Sequence, residues 1–186
     1  VHGDDVVTVK VGVMGLHNVR NSLVAMAVSH QLGVPYEKSS KAFENFRGLR
    51  QKVIKLPGKY TIIDDTYNAS PDSMKASTDV LCAMKCEGKK YIVLGDMLEM
   101  GEKEAQRHAE IGSYAEENGV ELLLCVGELS KNTCRAAQDI RSLHFASNAE
   151  LIGALPKLIE KGDAVLVKAS HSMKLEEISE ALKLLK

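Results

Sequence analysis

No apolar run in this 186-residue chain approaches the roughly 20 residues needed to cross a bilayer. Its first residues also lack the basic, apolar and small-residue segments of a signal peptide, so the chain is expected in the cytoplasm without membrane insertion. Charge of neither sign accumulates: the net charge is -1 and no basic stripe runs along the sequence, which argues against a nucleic-acid partner. The cysteines, Cys82, Cys86, Cys125 and Cys134, form no Cys-x-x-Cys pair and no cluster with histidine. They read as reduced structural thiols rather than zinc ligands. Internal repeats, low-complexity tracts and long linkers are missing as well. So is any Gly-x-x-x-x-Gly-Lys-[Ser/Thr] loop, the element that would cradle the phosphates of a nucleotide.

What is present is an ordinary globular balance, 45% hydrophobic and 26% charged, in a length that suits one core, or one full domain and a piece of another. Residues 6–13 are β-branched and read as a strand ended by Gly15. A helix over 19–32, with Leu23, Val24, Met26, Ala27 and Val28 on one face, stops at Gly33-Val34-Pro35, and a second helix over 36–46 follows. From residue 51 the rhythm changes. Residues 53–56 and 60–63 flank Pro57-Gly58 as a β-hairpin. Helices are then expected over 71–86, 102–118, 129–138, 148–160 and 173–185, alternating with strands over 91–94, 121–126, 142–145 and 164–167. Short apolar strands between amphipathic helices predict an α/β fold, a Rossmann-like, mainly parallel sheet flanked by helices, over residues 51–186. Residues 1–50 are too few to bury a core of their own and read as the short tail of another α/β domain.

Polar residues gather where strands end, and ligands of open α/β sheets bind at the carboxyl ends of strands. Asp64-Asp65-Thr66-Tyr67-Asn68-Ala69-Ser70-Pro71-Asp72 crowds one such junction. Pro71 and Asp72 suit the first turn of a helix, and Asp64 suits a bond to its own turn. Gly95-Asp96-Met97-Leu98-Glu99-Met100-Gly101 marks a second strand end, with His108 in the helix beyond it. Lys168, Ser170 and His171 mark a third, where a cation and a hydroxyl beside the free amides of a helix start make a pocket for a carboxylate or phosphate. Near the amino terminus, Gly15-Leu16-His17-Asn18-Val19-Arg20-Asn21 sets three side chains at a helix start, where Asn18 is either a cap or a ligand.

These motifs together resemble the Mur ligase family. The junction at 64–71 is similar to the family's Asp-Asp-x-Tyr-Asn-Ala-Asn-Pro, with Ser70 in place of Asn. Residues 15–21 resemble Gly-x-His-Asn-x-x-Asn, which ends the family's central ATPase domain. Residues 95–101 resemble Gly-Asp-Met-x-Glu-Leu-Gly, with Met100 for Leu. Residues 167–176 resemble Val-Lys-Gly-Ser-Arg-x-x-x-x-Glu, with Ala169 for Gly and His171 for Arg. The resemblance assigns residues 1–50 to the end of the central domain and 51–186 to the carboxyl-terminal domain.

Within the family, the segment after Asp65 favours the branch that adds D-alanyl-D-alanine to UDP-N-acetylmuramoyl tripeptide through an acyl phosphate in peptidoglycan synthesis. The resemblance implies ATP and Mg2+, with the metal and phosphate ligands in upstream domains, so no catalytic or metal-binding residue is expected in this chain. It implies ATP contacts at His17, Asn18, Asn21, Arg50 and Asp65. An asparagine amide at Asn21 can satisfy both the amino group and a ring nitrogen of adenine. It also implies substrate or closure contacts at Tyr67, Asn68, Lys168, Ser170 and His171, with this domain closing on the central one over the incoming dipeptide. The chain alone is expected to be inert. Alternatives are a sister ligase of the superfamily, a folylpolyglutamate synthetase-like ligase, or a non-catalytic Rossmann-like binding domain.

Overall fold

The computed structural model describes residues 6–46 and 51–185, which fall into two compact units, 1–49 and 50–186.

In the first unit α1 spans Leu16–Gln31 and α2 spans Tyr36–Asn45. Residues 6–14 carry no regular secondary structure, which corrects the expected strand. A β-branched segment becomes a strand only beside a pairing partner, and among the described residues the backbone bond recorded along it is Gly12 N–H to Phe43 O, 2.9 Å. The expected apolar face of α1 is likewise not covered within the unit. Ser22 and Met26 are its buried residues, while Leu23, Val24 and Val28 are exposed.

The second unit is a six-stranded sheet. After β1 (Lys52–Lys55), β2 (Thr61–Asp65) returns antiparallel through the turn at Pro57-Gly58. Then α3 (Pro71–Ala83), β3 (Lys90–Gly95), α4 (Glu104–Glu117), β4 (Leu122–Val126), α5 (Lys131–Ala136), β5 (Arg141–Phe145), α6 (Asn148–Ala154), β6 (Ala164–Lys168) and α7 (Glu176–Leu184) alternate. The strand order is β1-β2-β6-β3-β4-β5, parallel from β2 onward. The α/β reading with a mainly parallel sheet is therefore correct. Most helices are shorter than expected, for local reasons. Proline lacks an N–H and cannot continue an α-helix, so Pro156 turns the expected helix over 148–160 into α6 and a 3-10 turn at Leu155–Lys157. The expected helix from 173 begins instead with a 3-10 turn at His171–Met173, and α7 starts only at Glu176.

Both faces of the sheet are covered, which is why its strands read as continuous apolar runs. Ile63, Ile92, Leu94, Leu123 and Leu166 pack against Met74 and Leu81 of α3 and Ile111 and Ala115 of α4. On the other face Ile62, Val93, Leu124, Val165 and Val167 meet Leu151 of α6 and Ile178 and Leu182 of α7. Gly112 sits where α4 meets α5, and a methyl group there would lie 2.0 Å from the Thr133 carbonyl oxygen. The four cysteines are free. Burial pushes the Cys125 thiol up, while its hydrogen bond with Cys125 pulls the Cys134 thiol down. Among the described residues no helix is long and apolar enough to cross a membrane.

The chain returns from β5 to place β6 between β2 and β3, and the register sets Lys168 directly opposite Asp65. Their side chains form an ion pair at 2.7 Å in which both are nearly fully buried, 2% and 7% exposed. The same Asp65 oxygen accepts from Ser77 Oγ of α3 at 2.6 Å, and the Lys168 ammonium also donates to Asn68 O at 2.8 Å. Two charges leave water at a cost that close pairing and further hydrogen bonds must offset, and removing one partner strands the other. We expect K168M to lower the stability of the protein by about 3–5 kcal/mol in denaturant unfolding, and the D65N/K168M double variant to lose clearly less than the sum of the singles. A K168M loss below about 0.5 kcal/mol, the scale of an ordinary surface substitution, would contradict this. We expect G112A to cost about 1–3 kcal/mol by forcing α4 and α5 apart, and unchanged stability on the same assay would show that the helices yield freely.

Candidate functional site

The carboxyl ends of β2, β6 and β3 lie side by side, so the three polar junctions of the sequence meet at one end of the sheet. Each is shaped first by its own local bonds. After β2, Asp64 Oδ1 accepts from Thr66 N–H (3.3 Å) and Thr66 Oγ (2.8 Å), closing the turn the sequence predicted for it. Asn68 Oδ1 accepts from Ala69 N–H at 2.8 Å. Ser70 caps α3 in a reciprocal capping box with Ser73, Pro71 follows at the helix start, and Asp72 stands in the first turn. Residues 70–73 are thus occupied in starting a helix. Serine at position 70 is a good N-cap, which gives this departure from the family pattern a structural use.

After β3, Asp96 is buried and its Oδ1 accepts from Ser130 N–H at 2.8 Å. Gly127 permits this approach, since a Cβ there would fall 2.6 Å from the same oxygen and its φ of 112° is one that side chains disfavour. His108 reaches back from α4 to accept Met97 N–H on Nε2 (2.8 Å), while Nδ1 faces Glu104 O (2.7 Å). A ring that accepts on Nε2 and donates from Nδ1 is the neutral Nδ1–H tautomer. His108 is therefore a buried brace for the loop, which sequence spacing alone did not distinguish from a surface residue.

The β6 junction joins the other two. Ser170 N–H donates to Asp96 O (3.1 Å), and Ser170 Oγ accepts Leu98 N–H (2.9 Å). On the other side Lys168 grips Asp65 and Asn68 O. The result is a cleft of about 470 Å³ lined by Tyr67, Asn68, Leu98, Glu99, Ser170, His171 and Ser172. Tyr67 and His171 are both exposed, with ring centroids 6.0 Å apart.

Of the residues the sequence singled out, the fold brings Tyr67, Asn68, Ser170 and His171 into this cleft. Lys168 is used differently from the anion ligand expected: its ammonium is buried against Asp65 and does not line the cleft. Asp65 is buried too, with its described bonds on Oδ2. In the first unit, His17, Asn18 and Asn21 lie on the opening turns of α1. Gly15, not Asn18, occupies the N-cap, and Asn18 Nδ2 donates back to Met14 O at 2.6 Å; Asn21 is exposed. Arg50 lies outside the described residues. Sequence reading gave no role to Leu98, Glu99 or Ser172, the other residues of the cleft. The signal for Glu99 was its place in a strand-end loop with glycines and carboxylates. Among the described residues no group of three or more His, Cys, Asp or Glu side chains could hold a metal ion.

Comparison with known proteins gives this geometry a family. Residues 49–171, more than half of the chain, match the family model described as Mur ligase, glutamate ligase domain. The UDP-N-acetylmuramoyl-tripeptide--D-alanyl-D-alanine ligase of Bacillus subtilis is 36% identical over 172 residues, covering 89% of this chain and 38% of the relative. The ligase of the same name from Escherichia coli is 33% identical over 172 residues, covering 90% and 37%. Among solved structures, MurF from Acinetobacter baumannii superposes with a TM-score of 0.84 at 28% identity, over 94% of this chain and 40% of that one. The Thermotoga maritima MurF ligase, solved in complex with ADP, gives 0.80 at 25% identity over 95% and 40%. The chain thus spans well under half the length of these relatives. With its sheet, its three strand-end loops and more than half of its residues matching, this chain belongs to the Mur ligase family.

Proposed function

We propose that the protein carrying this chain is an ATP-dependent ligase that joins D-alanyl-D-alanine to UDP-N-acetylmuramoyl tripeptide, and that this chain supplies the cleft for the incoming amine. The observation that carries the reading is the convergence of Tyr67, Asn68, Ser170 and His171 from two strand ends on one cleft. The names of the relatives support the substrates, and the ADP bound to the Thermotoga maritima protein supports an adenine nucleotide as the energy source. We assign residues 1–50 to the end of the family's central domain and 51–186 to its carboxyl-terminal domain.

The reaction class sets what the chain must do. ATP phosphorylates a carboxylate of the tripeptide, releasing ADP. The amine of the dipeptide then attacks the acyl carbon, and phosphate leaves. An acyl phosphate is also open to water, so the amine must be held close and oriented before it forms. A cleft built on strand ends that are locked to one another suits that task better than a slack loop. Ser170 and His171 offer donors to the dipeptide carboxylate, and Tyr67 and Asn68 form a further wall. Lys168 acts through Asp65 and Asn68 as a positioning residue.

Asp65 Oδ1 accepts no hydrogen bond from a described residue and is left to accept from a ribose hydroxyl of ATP, while exposed Asn21 offers its amide to adenine. Arg50 is proposed for the nucleotide phosphates, and His17 and Asn18 for support of the adenine contact. Mg2+ is proposed for the reaction, held mainly by the upstream part of the central domain, and nothing assigned to this chain depends on it.

The full-length protein is expected to release phosphate from ATP only when both UDP-muramoyl tripeptide and D-alanyl-D-alanine are present, and the 186-residue chain is expected to release none. Release driven by a single amino acid would move the protein to a sister ligase, and absence of release would end the ligase reading. We further expect N21A to raise the KM for ATP by about tenfold, the worth of one good hydrogen-bonded contact, with the KM for the dipeptide unmoved. An unchanged KM for ATP would remove Asn21 from the nucleotide site.

A further inference from the structure

The carboxylates at this end of the sheet differ in what they are bonded to. Asp64 is taken up by Thr66, Asp65 by Lys168 and Ser77, and Asp96 by Ser130. Glu99 is exposed and lines the cleft, and among the described residues none hydrogen-bonds to its carboxylate or forms an ion pair with it. It is the acidic side chain of the cleft wall.

Its backbone is also unusual. Glu99 has φ 63°, a left-handed conformation that a residue with a side chain disfavours and that glycine would adopt freely. The strain is not that of a slack loop, because the two residues before Glu99 are anchored. Met97 N–H is held by His108 and Leu98 N–H by Ser170 Oγ. A fixed backbone thus carries a charged side chain in a conformation it does not prefer, at the rim of a cavity, and such outliers persist where function uses them.

The rest of the cleft lining has complementary chemistry. Ser170, His171 and Ser172 come from the turn after β6 and offer hydroxyl and imidazole donors, and the Tyr67 ring lines the same cleft with its centroid 6.0 Å from that of His171. An anion and a set of donors lining one cleft match a small zwitterion. A dipeptide, at most about 7 Å long when extended, fits within such a cleft. We propose that Glu99 binds the ammonium group of the incoming amine substrate and so sets the direction in which the dipeptide lies, with its carboxylate toward Ser170 and His171. This inference rests on the amine-cleft reading above and adds the specificity determinant for that amine.

The test uses steady-state kinetics of the full-length protein. E99Q keeps the shape of the side chain and removes its charge. It is expected to raise the KM for D-alanyl-D-alanine roughly 10- to 100-fold, the range for losing a charge-assisted contact, and to leave the KM values for ATP and UDP-muramoyl tripeptide unchanged. N-acetyl-D-alanyl-D-alanine has no ammonium group and serves as a competitive inhibitor. Its inhibition constant is expected to be equal for wild type and E99Q, because it never engages Glu99. A dipeptide KM that stays within about twofold of wild type, or three KM values that rise together, would overturn the assignment. So would N-acetyl dipeptide inhibition that weakens in E99Q as much as dipeptide binding does. If turnover requires a different amino acid, the D-alanyl-D-alanine reading falls and the same comparison on that amine and its N-acetyl form decides Glu99. Turnover with no amine at all sinks both.

Discussion

The buried ion pair between Lys168 and Asp65 holds the architecture of the site together. It lies across neighbouring strands, in direct register, with almost no access to water. Charges in that position cannot be exchanged for solvent, so the pair permits one alignment of β2 with β6 and one path for the chain leaving each. Through its second bond, to Asn68 O, the same ammonium fixes the loop that carries Tyr67. Just beyond β6, Ser170 fixes the loop that carries Glu99 by bonding to both Asp96 and Leu98. Two residues at one strand end thus set two loops.

The opposite end of the sheet offers a useful contrast. Asp163 is buried there as well, and its two oxygens accept Lys89 N–H and Glu160 N–H. Its bonds are to backbone groups that close turns. Buried carboxylates therefore stand at both ends of these strands, and burial alone does not separate a ligand site from a turn. Position relative to strand direction does, because helix starts and loops with free donors converge only at the carboxyl ends.

Much of the second unit was legible in the sequence because strands covered on both faces must be apolar throughout, and their helices must then alternate with them. Runs such as residues 122–126 and 164–168 allow little else. The motif loops were legible as loops for the same reason. What could not be read was strand order. Nothing local in residues 164–168 says that β6 inserts between β2 and β3, yet that insertion pairs Lys168 with Asp65. The failure at residues 6–14 has the same origin. Strand formation depends on a partner, and β-branched composition states only a preference for one. His108 and Glu99 mark the remaining gap. Each acts through a contact or a cavity set by tertiary packing, with no periodicity to announce it.

The central claim is that these interlocked strand ends form the seat of the amine substrate. A crystal structure of the full-length protein with D-alanyl-D-alanine and a non-hydrolysable ATP analogue tests it most directly. The account predicts the dipeptide in the cleft of Tyr67, Ser170 and His171, its ammonium on Glu99, with the Lys168–Asp65 pair intact behind it. A dipeptide bound elsewhere while that cleft holds only solvent would contradict it.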